Sequence, residues 1–276
     1  MEFYIKAVEM NNILCRALCM MKINGEVETV YNNNAEYWAG FMRAKGSSAN
    51  RFLEMPAMHS MLPNLKEKSV LCLGCGSGDE CKHLKSLGAK RVVGIDISDD
   101  LLKIAKNRCR NIEFYKMPME DMQFKKNSFD FIYSSLAMHY VEDWEPVFDK
   151  AYSTLKKGGT FLFSTHHPMA FCGYIKRGIK TTKLLGYEYS QKKGTYKIFG
   201  DYFKNRVIQD EWFGWMKIKY FHRPFKDMMG PIIKSNFKIL EVCEPILILQ
   251  AKKIDPSHYY RHSKIPLFII FLLQKS

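Results

Sequence analysis

The sequence predicts an α/β fold built on a parallel β-sheet, and three observations carry that expectation. Val70-Leu71-Cys72-Leu73 is a short apolar run that ends in glycines at 74, 76 and 78, the pattern of a buried strand delivering a tight loop into a helix. Val92 to Ile95 reads as a second buried strand, and Asp96 at its end lies 22 residues beyond Gly74, the spacing at which an acid reaches the ribose hydroxyls of an adenosine. Apolar runs and helical patterns then keep alternating through five strands. Such units cross over right-handed and place ligands outside the C-terminal ends of the strands.

In chain order, residues 1–30 hold short apolar groups, Ile13-Leu14-Cys15 and Ala17-Leu18-Cys19-Met20, compatible with a short helix. Glu2, Lys6, Glu9 and Arg16 interrupt any continuous apolar region, so no secretory signal is expected. Tyr31 to Ala39 and Arg51 to Leu62 read as helices. Asp79 to Leu87 forms the first crossover helix, stopped by Gly88. Ser98 caps the next, Asp99 to Cys109, which turns Leu101, Leu102, Ile104 and Ala105 to the sheet. Ile112 to Tyr115 is the third strand and Phe129 to Ser134 the fourth. Asp143 caps a helix through Leu155, Gly158-Gly159 ends it, and Thr160 to Ser164 is the fifth strand. Phe237 to Leu249 and Ile265 to Leu273 are strand-like runs with no helix between them and a loop at Pro256-Ser257-His258. Residues 166–221 form an extra segment rich in lysine and aromatic residues, among them Phe171, Tyr174, Trp212, Trp215 and Tyr220.

Composition narrows the classes of function. With 276 residues and 47% hydrophobic content, the chain can bury a full core as one elaborated domain. Pro266 to Leu273, the longest apolar run, falls far short of the ~20 residues of a membrane-spanning helix. Eight cysteines without disulfide-like regularity fit buried thiols in a reducing cytoplasm. Cys72 and Cys75 sit on a strand end and in a glycine loop, with no second pair at zinc-like spacing, so no metal site is expected. The net charge is +14, and residues 171–276, with 20 basic and 8 acidic side chains, hold +12 of it. An anionic partner near this half follows, set against the plainer reading of a solvated lysine-rich surface.

The identity of the adenosine cofactor turns on one position. A dinucleotide loop carries a small residue where the pyrophosphate meets the helix, but here Asp79 stands there, and a carboxylate repels a pyrophosphate. The Gly74-x-Gly76-x-Gly78 loop with Asp96 resembles motif I of the class I S-adenosylmethionine-dependent methyltransferases, particularly the broad ubiquinone- and menaquinone-biosynthesis-like branch. The resemblance runs from about Tyr31 through the last strand. It implies S-adenosyl-L-methionine as cofactor and a Rossmann-like parallel sheet with an antiparallel C-terminal strand. It also implies a layout of an N-terminal helical lid (residues 1–65), a cofactor-binding core (66–165), an inserted acceptor cap (166–221) and a C-terminal helix and strand pair (222–276). Carried over by residue, Gly74, Cys75, Gly76 and Gly78 hold the methionine and ribose parts, and Asp96 the ribose hydroxyls. Ile97 packs on adenine, the Met119 backbone N–H and Glu120 address its edge, and Ser134 faces the amino-acid tail. Tyr37 and Trp38 are lid candidates, and Trp212 and Trp215 lie in the segment where this family commonly builds the acceptor pocket. Two departures stand out: Cys72 and Pro118 occupy positions where the family often has acids, each loss costing roughly 1 kcal/mol of cofactor affinity if uncompensated.

Methyl transfer is an in-line displacement at a sulfonium, so the protein must align the nucleophile and exclude water. A base is needed only for a protonated acceptor. His139, His166 and His167 follow the fourth and fifth strands on the ligand side and are expected to converge there, as bases or as polar wall. The first functional reading is methylation of a small molecule at O, N or C. The second is an RNA-modifying enzyme using the basic C-terminal half, and the third is a non-catalytic cofactor-binding protein.

Overall fold

A computed structural model describes residues 25–44, 47–170, 172, 174–177 and 180–276; the short helix expected near residues 13–20 and Phe171 lie outside them. The described chain opens with two helices, α1 (25–33) and α2 (Ala35–Ala44). A π-helical turn, Asn50–Glu54, runs into α3 (Met55–Ser60). Then come β1 (Ser69–Leu73), α4 (Asp79–Ser86), β2 (Arg91–Asp96), α5 (Asp99–Arg108), β3 (Glu113–Lys116), β4 (Phe129–Ser134), α6 (Glu145–Thr154) and β5 (Leu155–His166). Three hairpins follow: β6 (Tyr174–Arg177) with β7 (Lys180–Lys183), β8 (Gly186–Ser190) with β9 (Thr195–Phe199), and β10 (Arg206–Trp212) with β11 (Met216–His222). The chain ends with α7 (Phe225–Lys234), β12 (Phe237–Cys243), α8 (Gln250–Ile254), α9 (Pro256–His262) and β13 (Phe268–Lys275).

Seven strands form one sheet in the order β12-β13-β5-β4-β1-β2-β3, parallel from β5 to β3 and with β13 antiparallel to both of its neighbours. The strands at its centre read as unbroken apolar runs because both faces are covered. Leu71 and Leu73 join Trp144, Phe148, Phe161, Phe163 and Phe271 on one face. Val70 and Cys72 join Val92, Phe131, Tyr133 and Ile270 on the other. Full burial of a Phe or Leu side chain contributes ~1.5–3 kcal/mol, so these two layers hold the sheet rigid beneath its loops.

The boundaries show where local reading stops. Ser98 caps α5 as expected, its hydroxyl accepting from the Leu101 N–H at 3.2 Å. Gly158-Gly159 does not separate α6 from β5; β5 already begins at Leu155, and the glycines form an irregularity within it, with Gly158 at φ +75°. Strand pairing of Leu155 with Phe129 overrides the glycine stop signal. The run from Phe237 to Leu249 ends as a strand at Cys243, and α8 and α9 occupy the stretch read as a loop around His258. Asp255 caps α9, its carboxylate accepting from the His258 N–H at 3.1 Å. Among the described residues no helix is long and apolar enough to cross a membrane.

Candidate functional site

One cavity of 770 Å³ opens over the C-terminal ends of β1, β2, β4 and β5. Gly74, Cys75, Gly76 and Ser77 form its floor, and the three loop glycines have different reasons to be glycine. At Gly74 (φ +66°) a side chain would collide with Ala137, and at Gly78 (φ +83°) it would press on Ala105 and Phe114 at 3.1 Å. At Gly76 (φ +51°) it would meet nothing within 4 Å and would stand in the cavity itself. Of the three, only this glycine keeps space open for a ligand; Gly78 lies outside the cavity wall and lets the loop lie close to Ala105 of α5 and Phe114 of β3.

Asp96 organises the loop. Its carboxylate accepts from the Gly76 N–H at 2.8 Å and the Ser98 N–H at 2.9 Å, so the hydrogen bond absent at Cys72 is supplied from β2. Burial raises the Asp96 carboxyl, and these backbone donors pull it back. Ile97, Met119 and Glu120 line the cavity beside it. Ser134 does not: it is fully buried, its hydroxyl donating to the Leu73 carbonyl at 3.1 Å, and the wall at the end of β4 is Ser135 and Leu136 instead. Strand alternation turns Ser134 into the sheet and Ser135 out of it.

Three features of this end carried no sequence signal. Glu80, on the wall, is pushed up to about 7 by burial and by the neighbouring Glu54 and Asp79 carboxylates. Leu136 holds φ +47°, a strained conformation for a branched residue, and its N–H donates to the Ser164 hydroxyl at 2.9 Å. Glu54, buried in the π-helical turn, anchors that contact by accepting from Ser164 at 2.6 Å and Ser135 at 2.7 Å. Glu54 is 110 residues from Ser164, so only the folded chain brings the two together.

The histidines divide. His139 and His166 come together on the cavity wall, their rings stacked 3.9 Å apart at 17°. Tyr220 packs edge-on against both, and its hydroxyl donates to Asp210 at 2.7 Å. His139 is buried, neither ring nitrogen has a hydrogen-bond partner among the described residues, and burial, His166 and Arg223 hold its pKa well below the ordinary value. It is therefore neutral and able to accept a proton. His167 is not part of the wall. Its Nε2 lies 2.8 Å from Glu244 and its Nδ1 accepts from the Met169 N–H, because residues one apart at a strand end point opposite ways.

The lid and the third hairpin close the cavity. Trp38 on α2 stacks on Trp212 of β10 at 5.7 Å, and both line the cavity. Tyr37 and Trp215 do not; they touch each other outside it at 5.0 Å, where they are 46% and 47% exposed. Ala35 and Ala39 pack on Leu101 and Ile104 of α5, and Asn32 accepts from the Ser98 hydroxyl at 2.7 Å, which seats the lid on the cap of the helix that follows Asp96. Buried Arg223 donates to the Val141 and Glu142 carbonyls and lies over the Trp144 ring, fixing the loop that carries His139.

A glycine floor, an acid at the end of the second strand and a roofed cavity over a parallel sheet with one reversed strand define a class of enzyme that binds an adenosine cofactor and acts on a second molecule beside it. The model of the family described as "Methyltransferase domain" matches residues 71–163. An uncharacterized protein of Haemophilus influenzae is 30% identical over 221 residues, 76% of this chain and 83% of that one. The demethylmenaquinone methyltransferase of Lactococcus lactis is 30% identical over 165 residues, and the match spans 65% of its length. The solved S-adenosylmethionine dependent methyltransferase of Mesorhizobium loti superposes with a TM-score of 0.66 at 26% identity, covering 83% of this chain and 98% of that one. The chain belongs to the class I S-adenosylmethionine-dependent methyltransferases, and S-adenosyl-L-methionine is its cofactor. The residues present fit that cofactor, because the free space over Gly76 admits a close backbone approach and the wall carboxylates Asp96 and Glu80 suit hydroxyls and a cation.

Proposed function

We propose that the enzyme methylates a small-molecule acceptor held in the capped end of the cavity. The observation that carries this reading is the enclosure itself. A cavity of 770 Å³ runs from the glycine floor to the stacked histidines beneath Trp38 and Trp212, a size and apolar character suited to cofactor and small acceptor together. The Lactococcus relative, whose name gives a demethylmenaquinone acceptor, supports the same class.

In this reading the backbone at Gly76 and the carboxylate of Asp96 hold the ribose and methionine parts, while Ile97, Met119 and Glu120 hold the adenine. When bound, the cofactor supplies a methyl group activated by its sulfonium. With an acceptor held beside that methyl group, His139 or His166 would take its proton at an imidazole nitrogen when the acceptor is a hydroxyl or an acidic carbon. A carboxylate acceptor needs no base. The aromatic roof excludes water, which protects the reactive methyl group. Residues 1–65, 66–165, 166–221 and 222–276 act as lid, core, cap and sheet edge of one unit.

The test is incubation with labelled cofactor and fractionated cell extract. Label in small molecules is expected, and label in RNA or protein overturns the acceptor class. Replacing residues 166–221 is expected to abolish turnover and keep cofactor binding measurable.

A further inference from the structure

β4 and β5 stop pairing before they reach the histidines. Their ladder ends at Ser134 opposite Phe163, after which β4 leaves the sheet while β5 runs on to His166 beside β13. Side chains span the gap where the backbone ladder stops. The Leu136 N–H donates to the Ser164 hydroxyl at 2.9 Å, and the Ser164 and Ser135 hydroxyls both donate to one oxygen of Glu54, Oε1, at 2.6 and 2.7 Å. A serine hydroxyl has one proton, so giving it to Glu54 turns the Ser164 lone pairs toward Leu136. That bond holds Leu136 at φ +47° and starts the turn that carries Ala137 close to Gly74 and His139 against His166.

Glu54 is itself fixed from behind. It closes the π-helical turn, in which the Met55 N–H donates to the Asn50 carbonyl five residues back, a wide turn of the kind frequent at functional sites. Asn50 Nδ2 donates to its second oxygen at 3.3 Å. Phe52 and Leu53 of the same turn pack with Leu247, Ala251 and Phe268, Leu136 lies against that cluster, and the Ile248 N–H donates to the Phe52 carbonyl at 3.0 Å. Burial raises the Glu54 carboxyl and the two serine hydroxyls pull it back, while Glu80 of α4 and Tyr133 of β4 are the titratable groups that feel it. Oε1 is able to accept both hydroxyls whether or not the carboxyl is ionised, so what Glu54 supplies is an acceptor at a fixed point.

We propose that Glu54 is a positioning residue that sets the spacing of His139 and His166: through Ser135, Ser164 and Leu136 it locks the turn after β4 to the end of β5, so that the two rings stay in contact. This rests on the reading of the pair as the base only in its effect on turnover. Around His139 stand His166 of β5, Tyr140, Tyr220 of β11 and Arg223, and burial, His166 and Arg223 hold it low. Freeing the turn parts the rings and admits water, which relieves the burial and the contact with His166 together.

The test is imidazole nitrogen NMR of the full chain, labelled at histidine and saturated with S-adenosylhomocysteine, with His139 and His166 assigned from their alanine variants. Glu54→Ala is expected to move both sets of resonances and to raise the His139 pKa by about one unit or more toward the ordinary ~6.5, and Ser164→Ala to reproduce most of that change. Glu54→Gln, which keeps an acceptor oxygen for both hydroxyls, is expected to hold the parental spectrum. Saturable S-adenosylhomocysteine binding shows that a variant is folded, and if Glu54→Ala fails that check, Ser164→Ala decides. Unchanged histidine signals in the deciding alanine variant, or a Glu54→Gln spectrum as disturbed as that of Glu54→Ala, overturns the positioning role. In the extract experiment, entry of label into the accepting fraction is expected to fall by about 10- to 100-fold in Glu54→Ala and to stay within about 3-fold in Glu54→Gln. Full turnover with displaced histidine signals overturns the base reading and leaves the positioning role standing, so the two failures are told apart.

Discussion

The glycine-loop end of the cavity and its capped end differ in how far along the chain their residues are gathered. Gly74 to Glu80 and Asp96 to Ile97 belong to one β-α-β unit, and their geometry is closed by contacts within it, such as Asp96 with Gly76 and Ser98. At the other end Trp38, His139, His166, Trp212 and Arg261 arrive from five separate elements, and no one of them shapes the site alone. A pocket for a fixed cofactor tolerates a short rigid design, whereas a pocket assembled from loops and hairpins on that scaffold is free to vary with the acceptor.

Substitutions separate the two ends. The largest effect is expected from Gly76→Leu, whose side chain enters ligand space: cofactor affinity should fall by ~10³-fold or beyond detection, with a left-handed backbone strain of about 1–2 kcal/mol showing in the melting temperature. Gly78→Leu carries the same backbone strain and adds pressure on Ala105 and Phe114 at 3.1 Å, so it should cost more stability, about 2–5 kcal/mol, while its side chain stays out of ligand space. Calorimetry and thermal melts on the pair read both outcomes.

Next in size is the histidine pair. For an acceptor that must lose a proton, His139→Ala or His166→Ala should lower kcat by ~10²–10⁴-fold and leave cofactor affinity intact. His167→Ala, whose ring faces Glu244, should stay within about 3-fold of the parent. Since His139 is held well below the ordinary histidine range, the rising limb of the pH–rate profile should lie on the acid side of 6.5. For a carboxylate acceptor the His139 and His166 variants should chiefly raise KM.

Trp212→Ala should raise the acceptor KM by about 10-fold through loss of the roof and change cofactor affinity less than about 2-fold. The smallest effect belongs to Glu80. Its carboxyl is raised to about 7, so much of it is protonated in the free protein below that pH, and a cationic ligand favours the ionised form. S-adenosylmethionine should therefore bind about 3- to 10-fold more tightly as pH rises from ~6 to ~7.5 and level off above, and Glu80→Gln should flatten the curve.

Much of this protein was legible in its residues. The apolar runs of β1, β2, β4 and β5, the capping serine of α5, the glycine loop and the acid of β2 are local signals, because backbone geometry and burial impose them within a few residues. Even the meeting of His139 and His166 followed from strand order, since β4 and β5 are neighbours and both side chains lie just past or at the strand ends. What local signals could not set was the direction of individual side chains and the arrangement of distant segments. Ser134 and His167 turned away because strand alternation and a partner at Glu244 decided their facing. Tyr37 and Trp215 pair outside the cavity while Trp38 and Trp212 close it, a choice made by how α2 sits on α5. Glu54 reaches Ser164, and α9 brings Arg261 to the wall, only when the sheet has formed, for such contacts have no sequence period to announce them and are decided by tertiary packing.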